Sequence, residues 1–450
     1  MQKTFDVIIL GAGTAGLTAM KEVRRHTNNF LLIDPGPLGT TCARVGCMPS
    51  KALVQIAHDV YRTRLLQKQE ILQDKGPVHW EEVFHRVRRL RDHFVEPIVR
   101  DIKALGDNFL QGHARFTGPT TLRVDGQNEV SARSIIIATG SRPLIPGSWP
   151  RQHPSILTTD DFFEMERIPQ KWAVVGLGPI GLELGQALAF LGAEVHGYDR
   201  DQSLGGLQDT PLNDLARDVL QRDMSLSFGS DVEIQERGAQ LEIKFGEKTQ
   251  RVDAVLAAIG RRPRLDELDL AKTGCEFDQA GFPVFDEETL GIRALPIYLA
   301  GDVDRKRNII HEASDEGRLA GYNACHPQNP QRLERKTPLA VVFTQPGIAT
   351  LGQRAQEGET SIIGKVSFED QGRAKIMSGN QGAAHVYVAA SNGRLLGADL
   401  FAPQAEHLAH LLAWAVQSEL TVSELLQMPF YHPTLEEGLR TALRDAKRQL

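Results

Sequence analysis

Cys42 and Cys47 lie five residues apart in the run Gly39-Thr40-Thr41-Cys42-Ala43-Arg44-Val45-Gly46-Cys47-Met48-Pro49-Ser50-Lys51. They are two of only four cysteines in 450 residues, so their closeness needs a chemical reason. A dithiol/disulfide pair supplies one. Gly46 lets the backbone bend enough to bring two sulfurs together. A helix starting near Pro49 points its positive end at them, which favours a thiolate. Two buried thiols and half of a zinc site are the alternatives. Zinc usually takes a second ligand pair, none stands at suitable spacing, and no metal is expected. Cys275 and Cys325 stand alone and read as small core residues.

Three further groups have the chemistry to serve such a pair. Lys51 follows Cys47 by one helical turn and shares its face. Glu183 sits in the first turn of a later helix, where a carboxylate also suits the helix dipole. Thiol exchange benefits from a base, because a thiol of pKa ~8.5 is mostly protonated at neutral pH, and histidine titrates closest to that pH. His432 precedes Pro433, which biases it towards extended backbone. Thr434 and Glu437 then stand at capping-box spacing, with Thr434 at the N-cap. A glutamate fixed in this way can also orient the imidazole.

The elements that must position these groups form a repeat. Residues 5–10 read as an apolar strand, followed by Gly11, Gly13 and Gly16, a helix, and a second strand ending in Asp34. Residues 172–175, Gly176, Gly178, Gly181 and a strand ending in Asp199 repeat the pattern, with the acid 18 residues after the third glycine in both copies. The glycines allow a tight turn and close approach of backbone to a pyrophosphate at the helix N-terminus, and the acid can accept from a ribose hydroxyl. Two such units imply two dinucleotides, such as a flavin and a nicotinamide. Asp199 accepts from a 2′-hydroxyl and repels a 2′-phosphate, which favours NAD over NADP; the adjacent Arg200 counts against this, its alternative reading being a solvated loop residue. Three more apolar strands end in Thr139-Gly140, in Gly260 and in Gly301-Asp302, and fit a flavin-binding shell in that order.

With residues 430–437, Phe-Tyr-His-Pro-Thr-Leu-Glu-Glu, these motifs resemble those of the pyridine nucleotide-disulfide oxidoreductases over nearly the whole chain. The resemblance implies two Rossmann-like α/β domains and a C-terminal α+β dimerisation domain. It implies FAD in the first glycine site, with Thr41, Thr139, Gly140 and Lys51 among its contacts and Asp302 near the ribityl chain. A nicotinamide would take the second site, with Gly260. Cys47 would lie against the flavin and Cys42 would exchange with substrate. Lys51 and Glu183 would pair beside the flavin ring. His432 would be the acid/base, Glu437 its partner, and the two would serve the disulfide of the other subunit in a homodimer. Asp199, the order Pro49-Ser50-Lys51, and residues 372–377 look most like dihydrolipoamide dehydrogenase. The expected partner is therefore a small thiol or disulfide, or a lipoyl-carrying protein. A reductase of glutathione- or coenzyme A-type disulfides and a subunit acting by docking to a multienzyme complex stay open. Thr40 replaces a usual glycine, Ala43-Arg44 a usual Leu-Asn, and Phe430-Tyr431 smaller polar residues; these departures mark a divergent member.

Composition agrees with a soluble globular protein, at 41% hydrophobic and 24% charged residues. A net charge of -6 gives no reason to expect nucleic acid, and the Arg86 to Arg91 cluster reads as a solvated helix face. No apolar run reaches the ~20 residues that span a bilayer, and no leader precedes the first strand. So few cysteines cannot form a secreted disulfide framework, and a cytoplasmic location is expected. The organisation expected is a flavin domain over 1–145, a nicotinamide domain over 146–265, a segment over 266–335 rejoining the flavin domain, and an interface domain over 336–450.

Overall fold

A computed structural model describes residues 3–73, 76–126, 128–355 and 360–450. The chain forms two compact units. One comprises Met1–Pro49, Val87–Leu144 and Arg261–Arg335; the other Ser50–Arg86, Ile145–Gly260 and Lys336–Leu450.

Among its described residues the first unit holds a seven-stranded sheet. Lys3–Leu10 pairs in parallel with Phe30–Asp34 on one side and with Asn128–Ile137 on the other. Ile297–Leu299 continues the parallel set beyond Asn128–Ile137. Parallel strands are covered on both faces, hence unbroken apolar runs such as Ile8, Ile9 and Leu10, all at most 1% exposed. The helices Thr14–Val23 and Ile310–Cys325 meet closely. A Cβ on Gly317 would lie 2.3 Å from the Ala15 carbonyl oxygen, so only glycine permits this approach.

The second unit repeats the parallel plan with Lys171–Val175 between Glu194–Asp199 and Ala254–Ala257. The helix Pro179–Leu191 follows the first of these strands. Residues 339–450 form an antiparallel five-stranded sheet among the described residues, backed by the helices Ala405–Gln417 and Glu436–Lys447. Gly364 lets the last helix close on the strand Ser361–Ser367, since a Cβ there would stand 2.2 Å from the Ala442 carbonyl oxygen. The architecture is the α/β plan with a C-terminal α+β domain expected from the motifs. No helix among the described residues is long and apolar enough to cross a membrane.

Candidate redox and nucleotide sites

The two glycine cradles are built alike. Gly11 and Gly176 take φ of 103° and 95°, and a Cβ on either would strike the carbonyl oxygen of Ala138 or Ala258. Gly16 and Gly181 sit so close to the first glycines that a Cβ would come within 1.9 Å and 1.8 Å of their carbonyl oxygens. Gly13 and Gly178 differ, because a Cβ there meets nothing within 4 Å. Each is the N-cap of its helix, and neither helix has a side-chain cap. First-turn N–H groups lacking such a cap, facing a cleared approach, suit a pyrophosphate. The donor set therefore fits a dinucleotide in each cradle.

The terminal acids do something the sequence did not disclose. Asp34 accepts from the Ala12 N–H at 2.7 Å and from the Gly36 N–H at 2.7 Å. Asp199 accepts from the Leu177 N–H at 2.5 Å and from the Asp201 N–H at 2.9 Å. Each acid braces the middle residue of its own glycine turn. The signal was present as an equal separation of 22 residues in both copies. Arg200 is largely in solvent, 3.9 Å from Asp201.

Around the third group of glycines, Asp302 accepts from the Ser141 hydroxyl at 2.7 Å, and that oxygen accepts from Arg261 Nε at 2.7 Å. Thr139 donates to the Arg264 carbonyl at 2.8 Å. Gly140 and Gly260 have positive φ, 67° and 112°. Beside Asp302, the Gly301 N–H reaches Glu316, which is fully buried next to buried Asp304 and pairs with half-buried Arg335 at 2.9 Å. Burial first, and then the neighbouring Asp304 carboxylate, push the Glu316 carboxyl up to about 8.

The cysteine run forms two short pieces. Thr41–Arg44 is one helical turn, carrying exposed Thr41 and half-buried Cys42. Thr40, where the family pattern has glycine, is its N-cap and accepts from the Ala43 N–H at 3.1 Å. Gly46 is required by the close approach of its own loop: a Cβ would lie 2.9 Å from the Thr41 carbonyl oxygen and 3.2 Å from the Cys42 Cα. The helix begins at Cys47, two residues before the expected start, and Pro49 falls in its first turn, where its missing N–H costs nothing. Cys47 is exposed and stands at the positive helix end. Arg44 turns back onto its own loop, donating to the Pro37 carbonyl at 3.3 Å and packing its stem beside Gly39.

Lys51 Nζ meets Glu183 Oε2 at 2.6 Å. Glu183 is 4% exposed, and its Oε1 accepts from the Phe343 N–H at 3.0 Å. The Phe343 ring lies beneath the ammonium at 4.9 Å, a contact no sequence spacing announces. At the C-terminus, His432 Nδ1 and Glu437 Oε2 are 3.0 Å apart. Only half of the expected capping box forms. The helix starts at Glu436 with Leu435 as N-cap, and the Thr434 hydroxyl donates to the Tyr431 carbonyl instead. Glu437 still accepts from the Thr434 N–H at 3.3 Å, and that bond, then His432 and Arg440, hold its carboxyl below the usual range. Sequence reasoning missed Arg440, whose Nη2 lies 3.0 Å from Glu437 Oε1; the i,i+3 spacing could have found it.

Paired dinucleotide cradles and an imidazole-carboxylate dyad on this fold define an α/β nucleotide-dependent oxidoreductase. The family model for pyridine nucleotide-disulphide oxidoreductases matches residues 5–317, and the model for their dimerisation domain matches 339–443. The chain belongs to that family, whose cofactors are FAD and NAD. It is 30% identical to a dihydrolipoyl dehydrogenase of Haloferax volcanii over 99% of this chain and 96% of that one. It is also 30% identical to one of Thermus scotoductus, over 99% and 98%. In fold it is similar to the HOCl-induced flavoprotein disulfide reductase RclA from Escherichia coli, with a TM-score of 0.85, 21% identity, and 99% and 100% of the two chains covered.

Proposed function

We propose that this enzyme oxidises dihydrolipoamide, or a closely related small dithiol, with NAD+. The observation that carries the proposal is the 3.0 Å contact between His432 and Glu437, since thiol exchange needs a base and a docking subunit does not. The 30% identity to dihydrolipoyl dehydrogenases supports the lipoyl assignment. In this proposal the flavin domain is 1–145 completed by 266–335, the nicotinamide domain is 146–265, and the interface domain is 336–450. Gly11, Gly13, Gly16 and Asp34 hold FAD, together with Thr41, Lys51, Thr139, Gly140 and Asp302. Gly176, Gly178, Gly181, Asp199 and Gly260 hold NAD. When bound, these two cofactors supply the route by which an electron pair leaves the cysteine pair.

The chain's own residues perform the thiol chemistry. His432 Nε2 takes the proton of one substrate thiol, while Glu437 on Nδ1 keeps the ring in the tautomer that leaves Nε2 open. The thiolate attacks Cys42 Sγ of the Cys42–Cys47 disulfide, and the Cys47 thiolate leaves, stabilised at the helix N-terminus. The second substrate thiol loses its proton and attacks the mixed disulfide. Cyclic disulfide departs, two electrons remain on Cys42 and Cys47, and two protons have been released. We assign His432 to the disulfide of the partner subunit and the enzyme to the cytoplasm.

The test is a panel in one buffer: NADH-linked reduction of lipoamide, glutathione disulfide and coenzyme A disulfide, each repeated with NADPH. The expected result is the highest kcat/KM for lipoamide, with NADH at least ~10-fold better than NADPH, a difference of about 1.4 kcal/mol. A preference for another disulfide overturns the lipoyl assignment, and a preference for NADPH overturns the role of Asp199.

A further inference from the structure

Phe430 replaces a smaller polar residue of the family pattern, and the reaction above makes no use of it. Its ring lies 5.7 Å from the Arg440 guanidinium. Arg440 reaches forward to Glu437 Oε1 at 3.0 Å. Glu437 is therefore held at both oxygens: Oε2 faces His432 Nδ1 and the Thr434 N–H, and Oε1 faces Arg440. A carboxylate held at both ends cannot swing away from the imidazole. A cation on one oxygen also reduces the charge that the other presents to the ring.

We propose that Arg440, steadied by Phe430, is a positioning residue for the His432–Glu437 dyad. It fixes the carboxylate that orients the imidazole and offsets part of that carboxylate's charge. The inference rests on the base role proposed for His432. The charged groups that act on Glu437 are His432 and Arg440. The helix Gly372–Ile376 contributes the neutral Gln371, which donates to the Thr434 carbonyl at 2.6 Å. The strand Ser361–Ser367 meets the last helix at Asp445, about two turns away, through the Lys365 N–H. Glu436 and the Tyr431 phenol, the remaining titratable neighbours in sequence, make no described hydrogen bond or ion pair with either member of the dyad.

Arg440→Gln, Arg440→Lys and Phe430→Leu, made in the FAD-loaded homodimer, test this. Without the cation the carboxylate bears fully on the imidazole, and a higher pH is needed to free the base. The acid limb of kcat/KM for dithiol oxidation should move up by roughly 0.5–1 pH unit in Arg440→Gln. Plateau kcat should fall about three- to tenfold with KM unchanged. Arg440→Lys should restore most of both, and Phe430→Leu should give a smaller shift of the same sign. NADH oxidation by ferricyanide needs no thiol base and should be unchanged. The low-field Nδ1 proton of His432 should broaden in Arg440→Gln by NMR. An identical pH profile and an unaltered Nδ1 signal would overturn the role of Arg440. Full turnover in His432→Gln would instead overturn the base assignment on which it rests.

Discussion

Glu183 answers two groups from a site that is 4% exposed: the Lys51 ammonium at 2.6 Å and the Phe343 N–H at 3.0 Å. Hydrogen bonds to charged groups contribute about 1.5–3 kcal/mol each, and more than a third of the Lys51 side chain stays in water. Glu183→Ala should therefore lose about 2 kcal/mol, read as a lower urea midpoint, and Glu183→Gln about half as much. Equal midpoints in all three proteins would show that the pair is incidental to stability. Lys51 and Glu183 were legible in the sequence because each sits at a fixed offset from a motif. Phe343 was not, because it meets Glu183 through a backbone N–H, and backbone groups carry no residue signature. Arg44 was legible as unusual but not in its direction, since only the folded loop turns it onto the Pro37 carbonyl.

At the level of elements, the two cradles separate folding from binding. Gly178→Ala meets no atom, so the protein should keep its melting temperature while KM for NADH rises about tenfold, the new methyl standing where backbone must approach phosphate. Gly181→Ala forces a Cβ to 1.8 Å from the Gly176 carbonyl and should destabilise the fold by about 1–3 kcal/mol. If both variants bind NADH normally and melt normally, the second cradle does not hold a dinucleotide. Strands, glycine turns and helices were readable here because apolar runs and glycines are local signals. Helix boundaries were read less well: Cys47 opens its helix two residues early, and Thr434 gives up the N-cap because its hydroxyl turns to the Tyr431 carbonyl.

The buried carboxyl behind Gly301 carries a pH prediction at the same scale. Glu316 is raised from an ordinary 4.5 to about 8, chiefly by burial and then by Asp304. A carboxyl raised on folding contributes stability that is fully present below about 4.5 and is lost as the pH rises through about 8. The melting temperature should therefore fall from pH 6 to pH 9, and Glu316→Gln, which is never charged, should flatten that fall. A variant that tracks the parent enzyme across this range would show that Glu316 does not titrate there.

For the whole molecule, the dimerisation domain over 339–443 supports a homodimer. If His432 serves the partner's cysteines, Cys42→Ser and His432→Gln subunits can each supply what the other lacks. Mixing the two inactive proteins in equal amounts under exchange conditions should restore about a quarter of parent activity, since half of the dimers are mixed and each has one intact site. No recovery, with exchange verified by mass, would confine the site to one subunit. This scale was the least legible from residues alone. A site shared between subunits, as proposed, would leave no spacing in the sequence, and that expectation came only through family resemblance.

The brace that Asp199 makes to its own glycine turn bears on how this chain could be re-engineered or could diverge. If Asp199 reads the ribose as proposed, a change from NAD to NADP calls for removing that carboxylate, yet its Oδ2 also holds the Leu177 N–H at 2.5 Å. On that proposal, the first step towards the phosphorylated coenzyme would loosen the turn proposed to hold either one. A neutral acceptor at position 199 would have to precede any new arginine, so the order in which such mutations accumulate is constrained before any selection for coenzyme begins.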